Sequence, residues 1–390
     1  MKIVDVSAFY SPHGGGVRNY VERKLEHAPK AGHELVVVVP GKTDSEETRP
    51  GGARLVSVAS PKLIVDKRYR YFRSAEAVHA ILDAERPDVV EASSPWRTAN
   101  IVASWKGDAL RSMFMHADPV GTYGYRWFGQ VAEREAIDRG FAPFWNHLRR
   151  ACSGFDMVVC ANPDLSQRMR AAGLPGVTTI PLGIEEGVFS PSYRSAELRA
   201  HLLAMCGLPE TATLLTGVGR LSSEKRWPMV VEAVSLASID RPLGLVLVGQ
   251  GRDRAAILKA IGGNPHIRLI DGISDRHLLA STLASADALV HGCESETFGL
   301  VVAEAAASGL PLILPDEGGA SGFADPLVSE TYRAADAASL ADAIRRFTMR
   351  DIDAMAAEAR RKASSVLSIG THFDALFGAF EALGNQRLAA

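Results

Sequence analysis

Leu243-Gly-Leu-Val-Leu-Val248, followed by Gly249-Gln-Gly251 and the helical run Arg254–Ala260, decides the fold class. A strand-length run without polar alternation fits a strand covered on both faces, as in a parallel sheet between layers of helices. The same unit recurs around it. Leu214–Val218, Ile267–Ile270, Ala288–His291 and Pro311–Leu314 read as further strands, with helices predicted at Trp227–Leu236, His277–Ala284 and Val301–Ser308. In the first half, strands are predicted at Lys2–Val6, Glu34–Val39, Arg54–Val58, Asp88–Glu91, Arg111–His116 and Met157–Ala161, with helices such as Arg18–Ala31 and Ser74–Ala84. The pattern restarts after Ile180-Pro-Leu-Gly-Ile-Glu185. The expectation is an α/β protein of two doubly wound, Rossmann-like domains facing across a cleft at the carboxyl ends of their strands. They would cover residues 1–184 and 185–370, followed by a C-terminal helix at about 371–390 that periodicity alone assigns to neither.

Length agrees, since 390 residues exceed one ordinary core and suggest two domains of roughly 150–200 residues. A 47% hydrophobic and 23% charged composition is that of a folded protein, and a net charge of −2 gives no general affinity for nucleic acid. Cys152, Cys160, Cys206 and Cys293 form no CxxC pair or other familiar metal-ligand spacing, so they read as reduced thiols. The N-terminus opens directly on a β-type run, and no apolar stretch reaches the ~18–20 residues of a membrane span. The expected location is the cytoplasm, including the inner face of the membrane.

Three glycine-rich turns follow predicted strands. Gly14-Gly15-Gly16 precedes the first helix, where backbone amides and the helix start favour an anion, but the Gly-Lys-Ser/Thr ending of a P-loop is missing. Gly217-Val-Gly219-Arg220-Leu-Ser-Ser-Glu-Lys225 has Ser222 where a dinucleotide fingerprint needs its third glycine. It offers instead Arg220 and Lys225, a guanidinium fork and a point charge suited to a diphosphate, which could replace a magnesium ion. Val248-Gly249-Gln-Gly251 also breaks the fingerprint, at Arg254, which makes a dehydrogenase the weakest reading.

Glu296-Thr-Phe-Gly-Leu-Val-Val-Ala-Glu304 carries two carboxylates with a glycine between them. Even on one helix, eight residues would separate them by on the order of 12 Å. Glycoside hydrolases hold their pair about 5–9.5 Å apart. The glutamates therefore read as two clamps on one extended ligand, with the amides of Phe298, Gly299 and Leu300 at a helix start between them.

In this order and spacing, the motifs resemble the retaining glycosyltransferases of family four, with the two-domain architecture called GT-B. The likeness spans nearly the whole chain. Gly14-Gly15-Gly16, Pro181-Leu-Gly183-Ile-Glu185, Gly219-Arg220-Leu with Lys225, and the Glu296–Glu304 segment followed by Gly309-Leu-Pro311 carry it. The chain departs from the family at Ser368-Ile-Gly-Thr-His, where an aromatic-rich element is common. The resemblance implies a transferase moving a hexose-type sugar from a UDP- or GDP-linked donor to an acceptor hydroxyl, with retention and with no metal or other cofactor. The acceptor class would be a glycolipid or a growing polysaccharide. Arg220, Lys225, Glu296 and His116 would be catalytic. Gly15, Gly16, Gly219, Arg220, Lys225, Glu296, Phe298, Gly299, Leu300 and Glu304 would bind the donor, Glu304 at the ribose and Glu296 at the sugar. The last helix would return to the first domain. A nucleotide-sugar 2-epimerase and a non-catalytic nucleotide-sugar-binding protein are the alternatives.

Acceptor signals are thin. Lys62–Arg73 interleaves cations with aromatics and could face anionic lipid, while Tyr123–Trp145 is aromatic-rich and could shape a pocket.

Overall fold

The computed structural model describes residues 1–10, 16–64, 69–118, 120–125, 128, 132, 134–239 and 241–389. It divides into two compact units, Met1–Pro181 together with Ile369–Ala390, and Leu182–Ser368.

In the first unit the described strands are β1 (Lys2–Val6), β2 (Glu34–Gly41), β3 (Ser45–Thr48), β4 (Arg54–Ala59), β5 (Val89–Ala92), β6 (Leu110–Met115), β7 (Met157–Cys160) and β8 (Val177–Thr179). They form one sheet in the order β3-β4-β2-β1-β5-β6-β7-β8, parallel except for β3. The core of β2 is buried on both faces, as its unbroken valine run requires. By contrast β3, Ser-Glu-Glu-Thr, is exposed throughout and gives no apolar signal in the sequence. It is an edge strand that charged side chains keep from pairing further.

The second unit holds β9 (Thr213–Val218), β10 (Leu243–Val248), β11 (Ile267–Ile270), β12 (Ala288–Val290), β13 (Leu312–Pro315) and β14 (Ser329–Tyr332). Their order, β11-β10-β9-β12-β13-β14, is parallel throughout. The order reverses between β9 and β12, so the loops leaving their carboxyl ends lie side by side. Such a reversal is where open parallel sheets bind ligands. In the first unit the reversal falls between β1 and β5.

Residues 369–389 form the last helix, and it belongs to the first unit. Its buried His372, Phe373, Leu376, Phe377 and Phe380 cover the helix Gly16–Lys30, where Tyr20 and Phe373 rings lie 5.2 Å apart and His27 Nε2 meets Asp374 at 2.8 Å.

Under the helix Gly16–Lys30, the Lys24 ammonium is wholly buried between Asp5 of β1, at 2.9 Å, and Glu91 of β5, at 2.5 Å. Ser93 Oγ donates to the second Asp5 oxygen at 2.8 Å. Burial pushes the Glu91 carboxyl up to about 7, against the pull of Lys24. The cation ties the helix to the two strands at the reversal point. Replacing it by Lys24→Met would leave two carboxylates facing each other without a counter-charge. The expected cost is about 3–5 kcal/mol, the range for breaking a buried ion pair by removing one partner. Urea unfolding that shows an unchanged midpoint for this variant would contradict the assignment.

Candidate functional site

The reversal point of the second sheet gathers several of the predicted site residues. The loop after β9 carries Arg220 and Lys225, and the loop after β12 carries His291, Cys293, Glu294 and Glu296. Lys225 Nζ is hydrogen-bonded to Glu296 Oε1 in a largely buried ion pair. Burial opposes the charge of Glu296, but Lys225 and then His291 prevail and hold its pKa at about 2. Burial likewise opposes the Lys225 charge, and the Glu296 carboxylate overcomes it and keeps the ammonium's pKa above its ordinary value. The pair is therefore ionised at neutral pH. His291 Nε2 lies 3.8 Å from the same Glu296 oxygen. Burial, aided by the Lys225 charge, lowers the imidazole pKa to about 4, so the ring is neutral.

Lys225 is positioned by its neighbour. Arg226 adopts φ 50°, a left-handed conformation that costs a non-glycine residue roughly 1–2 kcal/mol. Two guanidinium bonds from Arg226 Nε to Glu294, at 2.7 and 3.0 Å, hold it there. The two loops also touch through the backbone. A Cβ at Gly292 would stand 2.6 Å from the Lys225 carbonyl oxygen. Only glycine fits between them without moving the chain. Arg220, in contrast, has 61% of its side chain exposed, with its guanidinium 3.3 Å from Glu224. It remains available to a ligand arriving from solvent.

Glu296 ends its loop just before the helix Leu300–Ala307, which starts after Gly299 at φ 89°. The first amides of a helix have no partner within it and carry its positive end. The Phe298 side chain is buried against the edge of Phe323, with ring centroids 5.3 Å apart, so only its backbone is placed to serve a ligand. The Glu296 carbonyl accepts from Gly319 N–H at 2.7 Å, fixing the loop to a fourth glycine-rich turn, after β13. Glu304, in the second turn of that helix, has a separate set of partners. Arg276 Nη2 donates to it at 2.8 Å and lies 3.8 Å, through Nε, from Glu185. The Arg276 guanidinium also sits 4.8 Å over the Phe189 ring. Burial raises the Glu304 pKa while Arg276 works against the shift. The two glutamates thus belong to different subsites, which excludes a shared proton between them.

Gly249 and Gly251 prove to be packing residues. A Cβ on either would run into the backbone of Gly219 or Leu221. The third glycine-rich turn therefore buttresses the second.

Residues 14–187 match the family described as Glycosyltransferase Family 4, and residues 205–364 match Glycosyl transferases group 1. A GDP-mannose-dependent alpha-(1-6)-phosphatidylinositol dimannoside mannosyltransferase of Mycobacterium tuberculosis is 30% identical over 316 residues, 80% of this chain and 79% of that protein. The chain belongs to glycosyltransferase family 4. A GDP-mannose-dependent alpha-mannosyltransferase of the same organism is 29% identical over 327 residues, 82% of this chain and 80% of the other. The sucrose-phosphate synthase of Thermosynechococcus elongatus shares the fold, with TM-score 0.76, 20% identity and coverage of 98% of this chain and 100% of that one. The protein is accordingly a glycosyltransferase of GT-B architecture that takes its sugar from a nucleotide-sugar donor.

The family's first-unit residues can be located in part. His116 follows β6, its ring 4.8 Å from that of Tyr20 and 4.4 Å from that of Phe114. Burial lowers its pKa to about 3, so it too is a neutral imidazole. Gly16 is the exposed first residue of its helix, while Gly14 and Gly15 lie outside the described residues. Residues 65–68 of the basic-aromatic stretch are also outside them. On either side of 65–68, Lys62 and Arg70 form an antiparallel bridge, Phe72 is core, Arg70 Nη1 donates to the Ser60 carbonyl at 2.5 Å, and Ile64 is 89% exposed. Of residues 123–145, positions 126–127, 129–131 and 133 lie outside the described residues, and Trp145 is core.

His291, Arg226–Glu294, Arg276 and Gly319 were absent from the sequence reading. Gly318-Gly319 follows a predicted strand and gave the same signal as the other glycine-rich turns. The ion pairs join residues 28 and 68 positions apart and left no local signature.

Gly292→Ala would press its Cβ on the Lys225 carbonyl oxygen at 2.6 Å and on Val230 Cγ2 at 2.9 Å, and, in protein checked for native circular dichroism, it should displace the ammonium by about 1 Å or less. Transfer measured as kcat/KM is expected to fall about 10–100-fold. A value within threefold of the parent would show that Lys225 does not depend on this contact.

Proposed function

We propose that this transferase is a retaining, metal-independent mannosyltransferase using GDP-mannose and acting on a hydroxyl of a mannosylated lipid or glycan. The donor is supported by the names of both mycobacterial relatives, and the mannosylated lipid acceptor by that of the first. The reading of the chemistry rests on one observation, the buried Lys225–Glu296 pair beside the start of the helix Leu300–Ala307.

Departure of a nucleoside diphosphate places negative charge on its β-phosphate. Lys225, Arg220 and the amides of Gly299 and Leu300 are assigned to that charge, where preorganised donors lower the barrier most effectively. These cations take the part that a magnesium ion plays elsewhere. Glu296 holds Lys225 in place and accepts from hydroxyls of the departing sugar, and Glu304 accepts from the ribose. With Gly219 in the same turn as Arg220, the second unit supplies the donor site. Glu296 is already engaged by the ammonium, so it is a poor nucleophile, and no covalent glycosyl-enzyme is invoked. The acceptor oxygen attacks the anomeric carbon on the face the diphosphate leaves. Its C–O bond forms as the sugar–phosphate bond breaks, and a β-phosphate oxygen takes the hydroxyl proton. Gly15 and Gly16 of the first unit are assigned to the donor, and His116 to the transferred sugar, its neutral ring suited to hydrogen-bonding a hydroxyl. For a lipid-linked acceptor, peripheral contact through the stretch bearing Ile64 at the inner face of the membrane is part of the reading.

Chelator-treated protein is the material for the test. GDP should raise its melting temperature more than UDP at equal concentration, since a ligand stabilises in proportion to the logarithm of its occupancy. GDP-mannose should be turned over in the presence of EDTA, giving an α-linked product by NMR. Activity lost in EDTA and restored by magnesium, or a β-linked product, would overturn the proposal.

A further inference from the structure

The loop after β12 has the pattern His291-Gly-Cys293-Glu-Ser-Glu296. One donor atom from each of His291, Cys293 and Glu296 lies within 4.8 Å of the others. His291 and Cys293 are buried, with 1% and 2% of their surfaces exposed. His291 bonds to the backbone of Cys293, and its Nε2 has no hydrogen-bond partner among the described residues. The ring therefore carries its proton on Nδ1 and turns the Nε2 lone pair toward the other two groups. Cys293 Sγ has only a long contact, 3.5 Å to Ser295 Oγ.

We propose that His291, Cys293 and Glu296 form a binding site for a thiophilic divalent cation, zinc above all, and that the cation excludes the nucleotide-sugar donor. Imidazole nitrogen, thiolate and carboxylate are the three ligand types that zinc takes at about 2.0–2.3 Å. Tetrahedral geometry at those lengths separates ligand atoms by roughly 3.3–3.8 Å. From separations of at most 4.8 Å, the trio reaches that spacing by closing up about 1.5 Å or less, within the reach of side-chain rotation. Three protein ligands leave a fourth position for water. Magnesium and calcium are poor matches, since both require oxygen ligands. The balance of the step is simple. A zinc–sulfur bond forms as the Cys293 proton passes to solvent, the Nε2 lone pair and a Glu296 oxygen complete the protein ligands, and the Lys225 ammonium gives up its place on Glu296. No electron is transferred.

Inhibition follows from what the ion takes away. Glu296 is withdrawn from the transferred sugar, and Lys225 is released from the position that meets the diphosphate. This competition rests on the donor-site reading above, whereas the cation site itself does not. The structure thus assigns to one cluster two exclusive states, donor-competent with Lys225 on Glu296, and metal-closed with the cation there.

The test uses the full chain after chelator treatment, with cobalt as the spectroscopic substitute for zinc. One equivalent of cobalt should produce a thiolate-to-metal charge-transfer band. The band should vanish in Cys293→Ala, and His291→Asn should weaken cobalt affinity at least tenfold, each variant being checked for native circular dichroism. Zinc should inhibit transfer by the parent protein, and Cys293→Ala should raise the inhibitory zinc concentration at least tenfold relative to that variant's own zinc-free rate. Saturating GDP-mannose should weaken cobalt binding at least tenfold. No band at one equivalent, or an equal band in Cys293→Ala, overturns the cation site. A Cys293-dependent band that the donor leaves unchanged overturns the competition alone, and so distinguishes failure of the donor-site reading from failure of the metal site.

Discussion

The buried ion pair of Lys225 with Glu296 is the constraint on which the rest of the second unit's site depends. Two opposite charges taken out of water are stable only if geometry and further partners hold them together. The surrounding residues provide that. Arg226 accepts a left-handed backbone and is locked by Glu294, and Gly292 lets the two loops touch. Gly319 then hydrogen-bonds the Glu296 backbone. The pair in turn fixes an ammonium where a departing diphosphate would need it, at the reversal of strand order and beside a helix start. The same carboxylate has His291 and Cys293 beside it, so the group proposed to organise the donor site is also the one that the proposed soft cation would capture.

The first unit shows related physics with a different outcome. Its reversal point is built on the Lys24 triad, and the aromatic rings of Tyr20, Phe114 and Phe373 pack around His116 and His372. His372 reaches this cluster from the last helix, with Nε2 3.2 Å from the Tyr20 hydroxyl and Nδ1 2.8 Å from the Pro181 carbonyl. The chain's end is thereby part of the environment that keeps His116 neutral. In the basic-aromatic stretch near residue 70, which on sequence could face anionic lipid, Phe72 is part of the core and Arg70 donates to a backbone carbonyl.

Most of the fold was legible in the sequence, because buried parallel strands such as β2 and β10 are continuous apolar runs that periodicity detects directly. The strands it missed, β3, β8 and β14, are short and partly or wholly exposed, so they carry no such run. At the site, Lys225, Glu296 and Glu304 were legible as residue types at a spacing. Their partners were not. Arg276 reaches Glu304 from a neighbouring helix, and Arg226 reaches Glu294 across 68 residues, contacts that only the sheet order creates. The cysteines read as reduced thiols because they form no CxxC pair or other familiar metal-ligand spacing. In the folded loop a histidine two residues before Cys293 and a glutamate three after it bring their donor atoms within 4.8 Å of its sulfur, the set proposed above to hold a cation.

A double-mutant cycle with Lys225→Ala, Glu296→Gln and the combined variant, scored by transfer kcat/KM, tests the central claim most directly. The account predicts that Lys225→Ala alone costs 100-fold or more, equivalent to about 2.7 kcal/mol of transition-state stabilisation. It also predicts that the two losses are coupled by about 1–3 kcal/mol, as for residues acting through one contact. Near-normal transfer by Lys225→Ala, or strictly additive losses, would contradict it.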